Sequence, residues 1–193
     1  MKGILNAEAF IAQFKQQASA PNIEQMLAVQ AIIDDVKANG DQALAQYTEH
    51  FDGQTLDKVK VTPEQLKASW DALDTDLQDA LKLTKARIEQ YEQRILYQDN
   101  LDEELSYVYR PLARVGLYVP GGTALYPSSV LMTLVPALVA GVKEIVVTTP
   151  VFTDTSITFA ALYLCGVTDH VYRIGGAQAI AALAYGTETI PAV

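Results

Sequence analysis

The 193-residue chain reads as an α/β protein in which a helical region over residues 1–104 precedes an incomplete parallel α/β layer over residues 105–193. Three observations predict this. Charged segments with helical periodicity fill the first half, and short apolar strands alternate with apolar helices in the second. The net charge of −9 also falls wholly on residues 1–104, which carry 19 of the 23 acids and 10 of the 14 bases, while the remainder balances to zero.

The helices of the first half are announced by their ends. Asn6 caps a segment with Phe10 and Phe14 on one face, and Asn22 caps one with Met26, Val29, Ile32, Ile33 and Val36 before Asn39-Gly40 ends it. Asp41 is the expected cap of the next helix, through Leu44, Tyr47 and Phe51 to Asp52-Gly53. Thr62-Pro63-Glu64-Gln65 places Pro at the first helical position and Gln at the third, a capping-box pattern. A long helix from about residue 76 to 96 follows, with Leu77, Leu81, Leu83, Ile88, Tyr91 and Ile95 as its apolar stripe.

The pattern changes after Glu104. Residues 105–110 alternate as a strand, and Pro111-Leu112-Ala113 separates them from 114–119, which predicts a hairpin or bent strand pair. Val115 to Val119 is a short strand stopped by Pro120-Gly121-Gly122. The next helix, Ser129 to Ala140, is expected to open on a Ser cap. A strand at 144–148 ends at Thr149-Pro150, a helix spans 153–165, a strand spans 170–174, and Gly175-Gly176 leads into a helix from Ala177 to Tyr185 closed by Gly186. Strands and helices at this spacing make right-handed βαβ units and a parallel sheet. Three strands are fewer than a complete doubly wound layer holds, so a truncated chain is expected.

Composition excludes several classes of function. An acidic chain with no basic cluster is not built for nucleic acid. The longest apolar passage, Val130 to Val142, carries Thr133, Pro136 and Gly141 and falls short of the roughly 20 residues a membrane span needs. No apolar stretch of signal-peptide length opens the chain, and the lone Cys165 has no partner for an internal disulfide, so a cytoplasmic protein is expected. The charge runs of the first half and His50 read as solvated surface. His50 and His170 stand 120 residues apart and Cys165 matches no zinc spacing, so no metal site and no catalytic residue are expected within the chain. Ser128 and Ser129 lack a nearby His and read as helix-cap residues rather than nucleophiles.

The loops after the three parallel strands are the candidate site: Pro120-Gly121-Gly122, Thr149-Pro150, and Gly175-Gly176-Ala177-Gln178. In a parallel sheet they share one edge and converge on one crevice, with loop amides, the ring of Tyr118 and the amide of Gln178. Neither Gly pair completes Gly-x-Gly-x-x-Gly, so a nucleotide would bind in another manner. The Gly pairs either serve a ligand or merely permit tight turns; Tyr118 is either core or ligand contact, and Gln178 either ligand contact or cap partner.

Longer stretches carry a family resemblance. Val115-Gly-Leu-Tyr-Val-Pro-Gly-Gly-Thr-Ala124, Pro127-Ser-Ser-Val-Leu-Met132, Ala140-Gly-Val-Lys-Glu-Ile-Val-Val147 and Gly175-Gly-Ala-Gln-Ala-Ile-Ala-Ala-Leu-Ala-Tyr-Gly-Thr-Glu-Thr-Ile-Pro191 closely resemble histidinol dehydrogenase. Phe51-Asp52-Gly53 resembles that family's pattern in the helical half. The resemblance implies an N-terminal portion of an enzyme that oxidises L-histidinol through L-histidinaldehyde to L-histidine with two NAD in succession. It also implies zinc, a cytoplasmic homodimer, and Rossmann-like domains of aldehyde-dehydrogenase type without the glycine fingerprint. By similarity Tyr118 and Gln178 are NAD contacts, Pro120 and Pro150 line the same cleft, and Phe51 is a weaker candidate. The zinc ligands, acid–base pair and substrate contacts would lie beyond Val193, leaving this chain without turnover. Leu125-Tyr126 stands where the family commonly shows Pro-Leu, which alters the stiffness of the loop. Two rivals remain: a non-catalytic nucleotide-binding or scaffold module of the same fold, and an aldehyde-oxidising dehydrogenase, which would need a nucleophilic Cys where Cys165 sits late in a helix.

Overall fold

The computed structural model describes residues 6–18, 22–55, 59–102, 104–121, 125–153 and 155–193. Four helices come first: α1 (Ala7–Ala18), α2 (Ile23–Asp52), α3 (Pro63–Asp71) and α4 (Thr75–Ile95). A two-residue pair follows, β1 (Asn100–Leu101) and β2 (Ser106–Tyr107). The alternating part then runs β3 (Arg114–Tyr118), α5 (Pro127–Val139), β4 (Glu144–Thr148), α6 (Ile157–Leu164), β5 (Val171–Tyr172) and α7 (Gly176–Tyr185).

The helix starts expected from side-chain caps are largely in place. The Asn6 carboxamide accepts from the Ala9 amide at 2.8 Å and that of Asn22 from the Gln25 amide at 3.2 Å. Thr62 and Gln65 form both halves of the capping box. Asp74 caps α4 through the Leu77 amide at 2.7 Å.

Helix α2 breaks where Asn39-Gly40 predicts an end: Gly40 sits at φ 50°, ψ −128°, inside an otherwise continuous helix. The cap there differs from expectation. Glu188, from the far end of the chain, accepts the Asp41 amide at 2.9 Å, while the Asp41 carboxylate accepts from the backbone and hydroxyl of Thr189. The end of the sequence thereby closes the helix that local residues leave open.

Two further expectations are corrected. The hairpin joins β1 to β2 rather than 105–110 to 114–119. Asp102 organises the intervening turn, accepting from the Glu104 amide through its side chain and from the Ser106 hydroxyl through its carbonyl, so pairing closes before Pro111 is reached. Helix α5 opens at Pro127 with no side-chain cap, not on Ser128 or Ser129. Proline at the first position has its φ preset and lacks one of the N–H groups that a helix start leaves unpaired.

The parallel sheet has the order β3-β4-β5, with Val115 opposite Ile145 and Tyr118 opposite Thr148. The outer edge of β5 is covered by residues 59–61, where the Val61 amide donates to the Val171 carbonyl at 2.8 Å and Arg173 to Val59 at 2.7 Å. On β3 no strand pairs with the outer side among the described residues. Side chains alternate across the sheet into two cores. Ile145, Val147 and Val171 pack under α3, α4, α5 and α6, while Val146, Tyr172 and Ile174 pack under α2 and α7.

Helices therefore cover both faces. The first turns of α2 and the described side chains of α1 stand away from this packing: Phe10, Phe14, Met26 and Val29 are exposed although they lie on the apolar stripes of their helices. The stripe on α4 is likewise only partly used, with Leu81 buried and Leu83, Tyr91 and Ile95 exposed. No helix among the described residues is long and apolar enough to cross a membrane.

Candidate functional site

Strand register delivers the three loops to one edge. At the carboxyl ends, the Val119 amide donates to Thr148 at 2.9 Å and the Thr149 amide to Tyr172 at 3.0 Å, so the chain leaves all three strands at the same level. From there the loops meet at Pro150. A tight turn around this residue is closed by the Val151 amide and the Thr149 carbonyl at 2.9 Å. Pro150 is buried between two glycines. A Cβ on Gly175 would lie 2.8 Å from the Pro150 Cβ, and one on Gly121 would lie 3.1 Å from its carbonyl oxygen.

Tyr118 ends β3 half-buried, and its hydroxyl oxygen accepts the Gly176 amide at 3.3 Å, tying the first strand to the first turn of α7. That turn has no side-chain cap. Gly176 adopts φ +64°, and the carboxamide of Gln178 folds back so far that its Oε1 lies 2.5 Å from where a Cβ on Gly176 would be. Glycine is required here both for the backbone sign and for the space.

Gln178 is fully buried, and neither its oxygen nor its nitrogen has a hydrogen-bond partner. Leaving a buried amide unpaired costs on the order of 1–3 kcal/mol, which makes this group a candidate ligand contact. The hydroxyls of Thr148 and Thr149, at the end of β4, are buried and unpartnered as well. These two threonines were not singled out as individual residues in the sequence because β-branched residues at a strand end read as ordinary sheet formers.

The structure thus gathers Tyr118, Pro150 and Gln178 at one edge, with Pro120 exposed on the loop beside them. Gly122 lies outside the described residues. Phe51 stands at the end of α2, exposed and stacked on Tyr47 with ring centroids 5.8 Å apart. Cys165 is buried, and burial pushes its thiol up to about 11, the opposite of what an attacking thiolate needs.

The opposite, amino-terminal edge carries an ionic group. Arg114 Nε meets Glu144 at 2.7 Å, and His170 lies beside both Glu144, at 3.7 Å, and the Tyr172 hydroxyl, at 3.3 Å. The Arg114 hydrogen bond holds the Glu144 carboxyl below the usual range. Among the described residues no group of three His, Cys, Asp or Glu side chains is placed to hold a metal ion.

Comparison with known proteins identifies the family. The sequence model of the family described as histidinol dehydrogenase matches residues 15–193. The histidinol dehydrogenase of Clostridium acetobutylicum is 44% identical over 200 aligned residues, covering 99% of this chain and 46% of that protein. That of Geobacillus kaustophilus is 49% identical over 177 residues, covering 86% of this chain and 41% of its own length. The crystal structure of histidinol dehydrogenase from Elizabethkingia anophelis superposes with a TM-score of 0.81 at 29% identity, over 91% of this chain and 42% of that one. The chain spans less than half the length of these relatives. Matched along nearly all of its residues by that family's pattern, and by its fold, the chain belongs to the histidinol dehydrogenase family.

Proposed function

We propose that this chain is the N-terminal portion of an NAD-dependent, zinc-dependent histidinol dehydrogenase, in which it forms part of the cofactor cleft for oxidising L-histidinol to L-histidine through L-histidinaldehyde. In this reading residues 1–104 form the helical region. Residues 105–193 form a Rossmann-like layer of aldehyde-dehydrogenase type, and the complete protein is a cytoplasmic homodimer.

The observation that carries the proposal is the buried, unpartnered Gln178 amide beside the Tyr118 hydroxyl, in the glycine-opened first turn of α7. A carboxamide offers donors and an acceptor together, which suits a ligand bearing both, and Tyr118 adds a ring face at the same rim. NAD bound there would supply the hydride acceptor. Tyr118, Gln178 and the Gly175 amide would hold it, with Pro120 on the open side of the cleft. A turn of this kind needs no Gly-x-Gly-x-x-Gly, because the glycines serve close approach and backbone sign rather than a phosphate loop. In this reading the metal, the acid–base pair and the substrate contacts belong to the part of the relatives' length that this chain does not span.

Calorimetric titration of the 193-residue chain with NAD tests the proposal. Saturable one-to-one binding is expected, and no heat up to about 1 mM NAD would refute it. With L-histidinol and NAD together the chain is expected to form no NADH; turnover would refute the assignment of the chemistry to missing residues.

A further inference from the structure

We infer that Pro150 is a positioning residue, a rigid spacer that sets the distance between the loop after β3 and the first turn of α7 and so holds Tyr118 and Gln178 in register. The inference rests on the cofactor reading above, but assigns Pro150 a role apart from touching the cofactor. Sequence resemblance alone places Pro150 on the cleft wall. The structure buries it.

The argument comes from the two glycines that flank it. Gly175 has φ −122° and ψ −166°, extended backbone open to any residue, and Gly121 is not among the glycines with positive φ. Neither position requires glycine for its conformation. Gly175 requires it for space, since a methyl group there would meet the Pro150 Cβ at 2.8 Å and Cγ at 3.1 Å, and Gly121 is close-fitted too, a methyl group there meeting the Pro150 carbonyl oxygen at 3.1 Å. The loops after β3 and β5 are therefore both seated on the single residue that follows Thr149.

Proline suits the position. Its ring cannot swing away as a flexible side chain would, and it brings no N–H that needs a partner in a buried turn. Gly175 is also the residue from which α7 starts, one before the amide that Tyr118 holds and three before Gln178. Any displacement at the Pro150–Gly175 contact is passed directly to those two groups.

The test is a double-variant cycle on the 193-residue chain, read by NAD affinity in calorimetry and by urea unfolding. Gly175→Ala is expected to weaken NAD binding about tenfold. Pro150→Gly, which removes the opposing Cβ, is expected to remove most of that penalty, so that Gly175→Ala in the Pro150→Gly background changes affinity by less than about threefold. Pro150→Ala keeps the Cβ and is expected not to rescue. If Gly175→Ala does not fold alone, its recovery by urea unfolding in the Pro150→Gly background and not in the Pro150→Ala background supports the spacer contact, and failure to fold in both overturns it. Equal losses for Gly175→Ala in the two backgrounds, or no loss in the parent, would overturn the spacer role. Failure of the parent to bind NAD would instead overturn the cofactor reading, and the spacer role with it.

Discussion

Gly40 offers the most demanding check on how this chain is held together, because its backbone conformation and its close neighbour both oppose a side chain there. Its backbone, at φ 50° and ψ −128°, lies where only glycine is comfortable, and the Glu188 carboxylate occupies the place a Cβ would take. Gly40→Ala therefore introduces backbone strain of about 1–3 kcal/mol. It also displaces the carboxylate that accepts the Asp41 amide, an exposed bond contributing roughly 0.5–1.5 kcal/mol. The expected loss is about 2–4 kcal/mol, or a fall in Tm of about 4–16 °C for a domain of this size. Urea unfolding followed by circular dichroism measures it. Glu188→Ala alone should lose only the capping part, about 1 kcal/mol, and adding Gly40→Ala should then cost only the strain. A Gly40→Ala variant within about 0.5 kcal/mol of the parent would show that the helix break is adaptable and refute the reasoning.

Other outcomes follow from single side chains. If the Tyr118 hydroxyl fixes the start of α7, Tyr118→Phe should weaken NAD binding about two- to fivefold while Tyr118→Ala weakens it more than tenfold, both measured by calorimetry. Equal affinity in parent and Tyr118→Ala would remove this residue from the site. The Arg114 hydrogen bond lowers the folded-state pKa of Glu144, so its stabilising effect is complete above about pH 5, past the ordinary glutamate value, and is lost as pH falls through the lowered one. Glu144→Gln should flatten the acid limb of stability against pH, and an unchanged limb would count against the pair. Burial of Cys165 with a thiol pushed up to about 11 predicts that a thiol reagent at about pH 8 reacts slowly with the native chain and fully in urea; rapid native reaction would contradict its burial.

Much of the fold could be read from the chain because its signals are local. Asn22, Thr62 with Gln65, and Gly186 act on neighbours a few residues away, and the apolar runs of β3 and β4 fix their own faces. What escaped the sequence was nonlocal. Glu188 caps a helix 147 residues earlier, and residues 59–61 add to the edge of β5 although their Val-Lys-Val alternation is too short to read as a strand by itself. The convergence of the candidate site was legible, since parallel strands must present their carboxyl ends together. The burial of Pro150 and Gln178 was not, because a glycine gives no hint in sequence whether it serves conformation or proximity.

The two borders of the parallel sheet are unequal, and the inequality sets the direction in which it can grow. Residues 59–61 occupy the β5 border, whereas the β3 border keeps its amides and carbonyls unladdered among the described residues. Helix α7 crosses on the face opposite α5 and α6, with Leu183 lying over Gly116 of β3. A chain continuing past α7 with a right-handed crossover would set its next parallel strand beside β3 and make the winding reverse there. Tyr118 would stand at the mouth of that reversal, and a strand placed alongside would give its ring a facing wall.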